Sequence, residues 1–322
     1  MKRLLTALAC VAALTASAAA SAQAFPVRPV TLVVPFPPGG GTDTTARLIA
    51  QKLSVKWGQQ MVVENKGGAA GQIGADSVAK AKPDGYTLLM GNLGTQAINP
   101  SLYAKLPYNA DTAFAPIALV ADLPLVMLVN PGVPAKTAKE FVALARSKPG
   151  QLTFSSSGAG GAPHLAGEIF KATTETFIVH VPYRGGGPAT SDLIAGHVQL
   201  SFVTALEASS FIKTGKLRAL GVSSPKRLSN LPDVPTLAEA GVPGVNVSSW
   251  VGMLAPAGTP KDIVDKVAND LREVLASDDV KTRITELGGL PAGNTPAQFT
   301  KLIDDDRKRY AVVIRDRKIT VD

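Results

Sequence analysis

Thr31 to Leu53 reads TLVVPFPPGGGTDTTARLIAQKL, and this order of residue types decides the fold. Thr31 to Phe36 is a short, apolar, β-branched run, as expected of a strand covered on both faces. Pro37 and Pro38 end it. Gly39, Gly40 and Gly41 leave the backbone free to turn tightly and to approach a ligand closely. Thr42 or Asp43 can cap the helix that follows. The unpaired N–H groups of its first turn then point out of the loop with the helix dipole behind them, which makes a seat for a small anion. A Gly-rich turn can also do no more than join strand to helix. GGGTDT lacks the spaced final glycine of the dinucleotide fingerprint and the lysine of the phosphate-binding loop, so it names no nucleotide.

Outward from this unit, short strands alternate with helices. Gln60–Glu64 and Tyr86–Met90 read as strands, Gln72–Ala81 as a helix, and Gly91 to Thr95 as a loop at a strand end. Such alternation predicts a largely parallel sheet, with ligands beyond the carboxyl ends of the strands. Gly39 to Asp43 and Asn92 to Thr95 both fall there. Phe114 to Val129 breaks the rhythm as two strands or one long bent strand crossing between domains. Thr137–Ser147 follows as an amphipathic helix. The opening logic then returns: strand Gln151–Ser155, the loop Ser156–Gly161 (SSGAGG), and a helix with Pro163 in its first turn. Further strands over 177–182, 198–203 and 217–223 alternate with helices over 188–195 and 205–213. Val245 to Leu254 is the second crossover. Three helices, near 261–276, 278–287 and 296–317, close the chain. The expected fold is α/β: two parallel-rich lobes joined by two crossover strands. Lobe 1 is 25–122 with 250–322, and lobe 2 is 123–249.

Composition bounds the rest. At 322 residues and 45% apolar content the chain has room for two globular domains. Lys2 and Arg3, the apolar run Leu4–Ala16 and Ala22-Gln23-Ala24 have the form of a secretory signal cleaved after Ala24, which places the mature protein in a bacterial periplasm. That run is too short to span a membrane. Cys10 does not sit in a lipoprotein signal, because Ala7 stands where leucine is usual. It is the single cysteine, so the mature chain has no disulfide or thiol chemistry. Loss of Lys2 and Arg3 leaves 31 basic residues against 25 acidic ones. That net charge of +6 can steer small acids inward. There is no basic stripe with interleaved aromatics, which argues against nucleic acid.

Catalysis has little to stand on. His164, His180 and His197 lack metal-ligand spacing. Serines 155 to 157 do not form a G-x-S-x-G elbow. A Ser156–His164 couple would still need an acid to orient the histidine. A binding site uses the same residues better. Two Gly-rich loops over helix N-termini, facing across a cleft, hold an anion through backbone N–H groups, and Thr42, Thr95, Ser156 and Ser157 add hydroxyls. His164 either donates to the ligand or satisfies a backbone carbonyl. Arg184, after Tyr183, reaches the cleft or bridges domains, and Trp250 packs the hinge or stacks on a ligand. Two crossovers make a hinge on which the lobes close. No cofactor or metal is expected.

The ordered motifs PFPPGGGTD (35–43), VVENKGGAAGQIGAD (62–76), KPDGYTLL (82–89), AINPSLY (97–103), SSSGAGGAPHLAGEIF (155–170), HVPYRGGGPATSDLIAG (180–196), GKLRALGVSSPKR (215–227), LPDVPTLAEAG (231–241) and SWVGMLAPAGTP (249–260) span nearly all of the mature chain. In them it resembles the Bug-type extracytoplasmic solute receptors, the periplasmic binding proteins of tripartite tricarboxylate transporters. The resemblance implies a type II-like periplasmic-binding fold, no catalysis, a monomer, and inner-membrane transporter subunits as partners. A sensor of the same fold signalling to a membrane kinase is the alternative. The resemblance puts Phe36, Pro38, Gly40, Thr42 and Asp43 at the ligand in lobe 1, and Ser156, Ser157, Gly158 and His164 in lobe 2. Asn92, Thr95, Tyr183, Arg184, Thr204 and Trp250 complete the expected set. Two departures bear on the ligand. Val203 stands where many relatives carry an aspartate, which favours a non-amino carboxylate, dicarboxylic or aromatic. Gln96 stands where a histidine is frequent.

Overall fold

The computed structural model describes residues 25–320 except Leu287 and Arg317; the expected signal segment and its cleavage point lie outside the described residues. Two mixed sheets form the framework. The first has the order β11-β4-β10-β3-β1-β2, built from β1 (Val30–Val34), β2 (Met61–Asn65), β3 (Thr87–Asn92), β4 (Phe114–Asp122), β10 (Val251–Pro256) and β11 (Leu290–Pro291). The second has the order β7-β6-β8-β5-β9, from β5 (Leu125–Val129), β6 (Thr153–Ser156), β7 (Val179–Pro182), β8 (Leu200–Thr204) and β9 (Arg218–Val222). The run expected to cross between domains is therefore two strands, β4 and β5, one in each sheet.

Each sheet has a parallel trio, β2-β1-β3 and β7-β6-β8. The largely parallel expectation holds for these trios and fails for the inserted strands. The strand that has just crossed from the other lobe runs antiparallel to both its neighbours: β10 between β3 and β4, β5 between β8 and β9. The reason is geometric. Val251 pairs with Asn92 at the carboxyl end of β3, and Leu125 with Thr204 at the carboxyl end of β8. A chain that enters at the carboxyl ends must run back against the trio.

The period-2 pattern of the strands sets the layers. In β1, Val30, Leu32 and Val34 face one core with Ile49 and Leu53 of helix α1 (Gly41–Trp57) and with Val267 and Leu271 of α8 (Lys261–Ala276); Val33 faces the other core. In β5, Leu125, Met127 and Val129 point into the core that holds Phe141, Phe154, Phe170 and Phe202, while Val126 and Leu128 point the other way. The remaining helices are α2 (Gln72–Ala79), the short α3 (Asn99–Leu102), α4 (Ala138–Ser147), α5 (Ala162–Thr174), α6 (Gly186–Ala195), α7 (Ala205–Lys213), α9 (Asp278–Glu286) and α10 (Pro296–Asp316). The segment read as a loop after β3 instead winds into a buried π-helical turn, Gly94–Ile98, that runs directly into α3. No helix among the described residues is long and apolar enough to cross a membrane.

One contact shows how tightly the inserted strand is packed. A Cβ on Gly252 of β10 would lie 2.1 Å from Cζ of Phe299, a ring with no exposure. Gly252→Ala is therefore expected to cost about 1–3 kcal/mol through overpacking. Denaturant unfolding checks this; an unchanged midpoint would mean that the ring has room to move.

Candidate functional site

The carboxyl ends of the two trios face each other across a cleft of about 730 Å³, open solvent at its mouth included. Its first wall is the loop between β1 and α1, from Phe36 to Thr42, with Asn92 at the end of β3. Its second wall is Ser157 and Gly161–Pro163 before and within the start of α5, Gly186 and Gly187 at the start of α6, and the end of β8 through Thr204. Three helix N-termini thus meet at one place, and none of α1, α5 and α6 is closed by its own N-cap side chain. First-turn N–H groups have no partner inside their helix and bring positive partial charge to the cleft, part of which the Glu207 carboxylate, also in the lining, takes up.

Of the expected first-wall residues, Phe36, Pro38, Gly40, Thr42 and Asn92 line the cleft. Neither Thr42 nor Asp43 caps α1; the N-cap is Gly40. Asp43 instead braces the loop from beneath. Its Oδ2 accepts the Gly39 N–H at 2.9 Å and Arg47 Nε at 3.0 Å, and its Oδ1 accepts Asn65 Nδ2 at 2.9 Å. Asn65 Nδ2 also donates to the Phe36 carbonyl at 2.9 Å. Burial raises the pKa of Asp43, but the bonds from Arg47, Gly39 and Asn65 and the Arg47 charge outweigh it and hold the carboxyl below its usual range. Thr95 is fully buried and trades hydrogen bonds with Asn92: Thr95 N–H to Asn92 Oδ1 at 3.0 Å, and Asn92 N–H to Thr95 Oγ1 at 3.1 Å. It orients Asn92 and does not line the cleft. Gln96, the expected departure, is also buried in lobe 1, away from the cleft.

In the second wall Ser157 and Thr204 line the cleft, while Ser156, Gly158, His164, Tyr183 and Arg184 do not. Ser156 turns inward, 2.7 Å from Nε2 of His180 and 3.0 Å from the Gly158 carbonyl. The histidine beside Ser156 is thus His180, not His164. The rings of His164, at 4.1 Å, and Phe154, at 4.8 Å between centroids, stack on that of His180, and among the described residues no hydrogen bond joins His180 to a carboxylate. Burial, then the neighbouring His164 and Lys171, lower the pKa of His180 to about 3; burial and Lys171 lower that of His164 to about 4. Both are neutral near pH 7. His164 meets the backbone as an acceptor: its Nδ1 takes the Gly160 N–H at 3.1 Å and so holds the loop before α5. The Tyr183 hydroxyl donates to Asp192 at 2.6 Å, and Arg184 is exposed.

The residue that sequence reasoning missed is Glu207. Its Oε1 accepts the Gly41 N–H at 2.6 Å, so a side chain of the second wall closes the N-terminus of α1 in the first. Burial pushes its carboxyl up to about 7, against the Gly41 N–H and the Thr204 hydroxyl, which pull it down. Glu207 thus brings a carboxylate to the cleft four residues after Val203, from the first turn of α7. The α6 seat was missed too, although Gly185-Gly186-Gly187 repeats the glycine run of Gly39 to Gly41.

Residues 45–319 match the model of the tripartite tricarboxylate transporter family receptor. The chain belongs to that family. The receptor is 36% identical to protein BugT of Bordetella pertussis over 93% of this chain and 92% of BugT. The solved structure of R. palustris Rpa4515 with adipate superimposes with a TM-score of 0.90 at 36% identity, covering 92% of the receptor and 99% of that chain. MatC from Rhodopseudomonas palustris with bound malate gives 0.86 at 36% identity, over 90% and 100%. The two-lobed periplasmic-binding fold expected from the sequence is therefore the fold of the receptor.

The receptor's two connections run side by side. Pro124 bridges to Ser248, and the Ser249 N–H donates to the Leu123 carbonyl at 2.9 Å. Trp250 lies next to them, 3% exposed, with its Nε1–H on Asp306 at 2.7 Å and its ring edge-on to Phe299. It packs beside the connections and does not line the cleft. The lobes touch in this structure: beyond Gly41–Glu207, the Tyr103 hydroxyl donates to the Ala159 carbonyl at 2.9 Å.

Proposed function

We propose that the chain is a periplasmic receptor that closes on a small carboxylate and delivers it unchanged to a tripartite tricarboxylate-type transporter of the inner membrane. The observation that carries this is the convergence of three helix N-termini, unclosed by their own N-cap side chains, on one cleft between two lobes. Neutral donors of this kind hold an anion without a fixed cation in the site. The adipate of Rpa4515 and the malate of MatC support the same ligand class. Gly40, Thr42, Asn92, Ser157 and Thr204 form the contact layer, with Asp43, Thr95, Ser156 and His164 holding it in shape. The moving bodies are 25–122 with 250–322, and 123–249, turning about the paired Leu123–Pro124 and Ser248–Ser249 connections. The receptor works as an exported monomer after loss of residues 1–24.

Thermal unfolding against mono-, di- and tricarboxylates tests the reading. A ligand at about 100 times its dissociation constant adds about 2.7 kcal/mol to stability, seen as a raised midpoint, and is recovered chemically unchanged. No shift with any carboxylate counts against the ligand class. Turnover of the bound acid would replace the receptor reading with an enzyme. Pull-down from inner-membrane extract, with recovery of transporter subunits expected, tests the partner.

A further inference from the structure

Glu207 brings into the cleft a carboxylate that capture of a simple anion does not need. It is rooted in the first turn of α7, whose N-cap Thr204 accepts the Glu207 N–H through its hydroxyl at 3.4 Å. Its Oε1 takes the Gly41 N–H at 2.6 Å. Its Oε2 lies against the first turn of α6, where a Cβ on Gly186 would come within 2.8 Å of it. The carboxylate therefore already occupies the space between two of the three N-termini. Among the described residues the groups acting on it are the Gly41 N–H and the Thr204 hydroxyl, neither of them a cation.

A carboxylate offers about four acceptor positions, and a charge enclosed without a countercharge is costly unless hydrogen bonds meet it. Its carboxyl is pushed up to about 7, and above that pH, where it is ionised, a second carboxylate pressed against it is repelled. The ligand's carboxylate therefore fits the third N-terminus, at Ser157 and Ala162 before and within α5. The pole of the ligand that meets ionised Glu207 has to donate a hydrogen bond.

We propose that Glu207 is a specificity-determining residue that selects small carboxylates bearing a hydroxyl or ammonium donor over those that lack one. This rests on the carboxylate reading above. Donor and carboxylate then lie on opposite sides of the cleft, one facing α7 and the other α5.

Calorimetric titration with succinate, malate and aspartate, at a pH at least about one unit above the Glu207 value so that the carboxyl is ionised, tests it, since these share one four-carbon skeleton and differ in a single hydrogen, hydroxyl or ammonium. Glutarate, 2-hydroxyglutarate and glutamate repeat the comparison one carbon longer. The wild type is expected to bind a donor-bearing member at least about tenfold more tightly than the plain diacid, as for a hydrogen bond to a charged group. In E207A that preference should fall to within about threefold. In E207Q a hydroxyl preference should survive in part and an ammonium preference should vanish, which separates the two donors. Unfolding midpoints of both variants guard against loss of fold, and E207Q decides if E207A does not fold. Equal affinity for plain and donor-bearing acids in the wild type would overturn the proposal. So would an equal gain for all of them in E207A, which would make Glu207 only an internal competitor for the α1 seat. Failure of every acid to bind every form would sink the carboxylate reading itself, and the proposal with it.

Discussion

A Gly94→Trp receptor is expected to fold and to bind ligand at least about 100-fold more weakly than the wild type. Gly94 opens the π-helical turn at the end of β3, and a Cβ there would lie 3.3 Å from the Gly160 carbonyl and 3.6 Å from the Gly161 Cα, both on the opposite lobe. An indole grown from that Cβ has to occupy the space that the loop before α5 fills in this structure. With the lobes apart the ring faces water, so the cost falls on closure and not on folding. Held open, the receptor offers its ligand one lobe's hydrogen bonds. A 100-fold loss is about 2.7 kcal/mol, no more than one or two hydrogen bonds to a charged group. The within-lobe neighbour, Asn92 Oδ1 at 3.3 Å, is the end of a side chain and can yield. Titration with the best ligand of the carboxylate panel measures the loss, and small-angle scattering measures the opening. Undiminished affinity would mean that ligand capture does not need the two loops to meet.

The second large effect concerns Asp43. Asp43→Ala is expected to lower stability by about 1–3 kcal/mol, because it removes one acceptor from three donors at once. The Gly39 N–H loses its acceptor, while Asn65 keeps only its bond to the Phe36 carbonyl and Arg47 only its bond to the Asn65 side-chain oxygen. Arg47 is half exposed and can turn to water, which keeps the cost below that of a fully buried ion pair. Binding should weaken more than stability, since Pro38 to Gly41 loses the brace that sets its N–H groups. The pH dependence has a definite sign. The Asp43 carboxyl is held below its ordinary value of 3.8 in the folded state. Its contribution is therefore complete above the unfolded pKa and is lost as pH falls through the folded one. The wild type should lose stability on acidification below about pH 4 more steeply than Asp43→Asn, which has no proton to take up there. Identical acid limbs would mean that the brace is not ionised.

The two strand–glycine–helix units were legible in the sequence because their signals are local. A β-branched run, a proline or glycine break and an apolar 3.6-residue pattern sit within about 25 residues of one another. The helices over 205–213 and 261–276 fall where the spacing placed them. What stayed hidden depends on residues far apart in the chain. Glu207 closes α1 from 166 positions away, and nothing local to ALEASS distinguishes it from a solvated helix glutamate. Ser156 meets His180 rather than the nearer His164 because β6 and β7 are paired, with Ser156 opposite Pro182 and Phe154 opposite His180. The antiparallel entry of β5 and β10 follows from where the chain crosses the hinge, which alternation of elements does not encode. Asp43 and Thr95, expected at the ligand, lie behind the cleft lining, and polar type alone does not tell a residue that touches a ligand from one that holds the loop.

The most direct test of carboxylate capture is calorimetric titration of the receptor with its best-binding dicarboxylate and with the diamide of the same skeleton. The two match in shape and differ in charge. Helix N-termini recognise the negative charge, so the diacid should bind with a measurable constant and the diamide at least about 100-fold more weakly. Equal binding of the diamide would contradict the assignment of the cleft as an anion site.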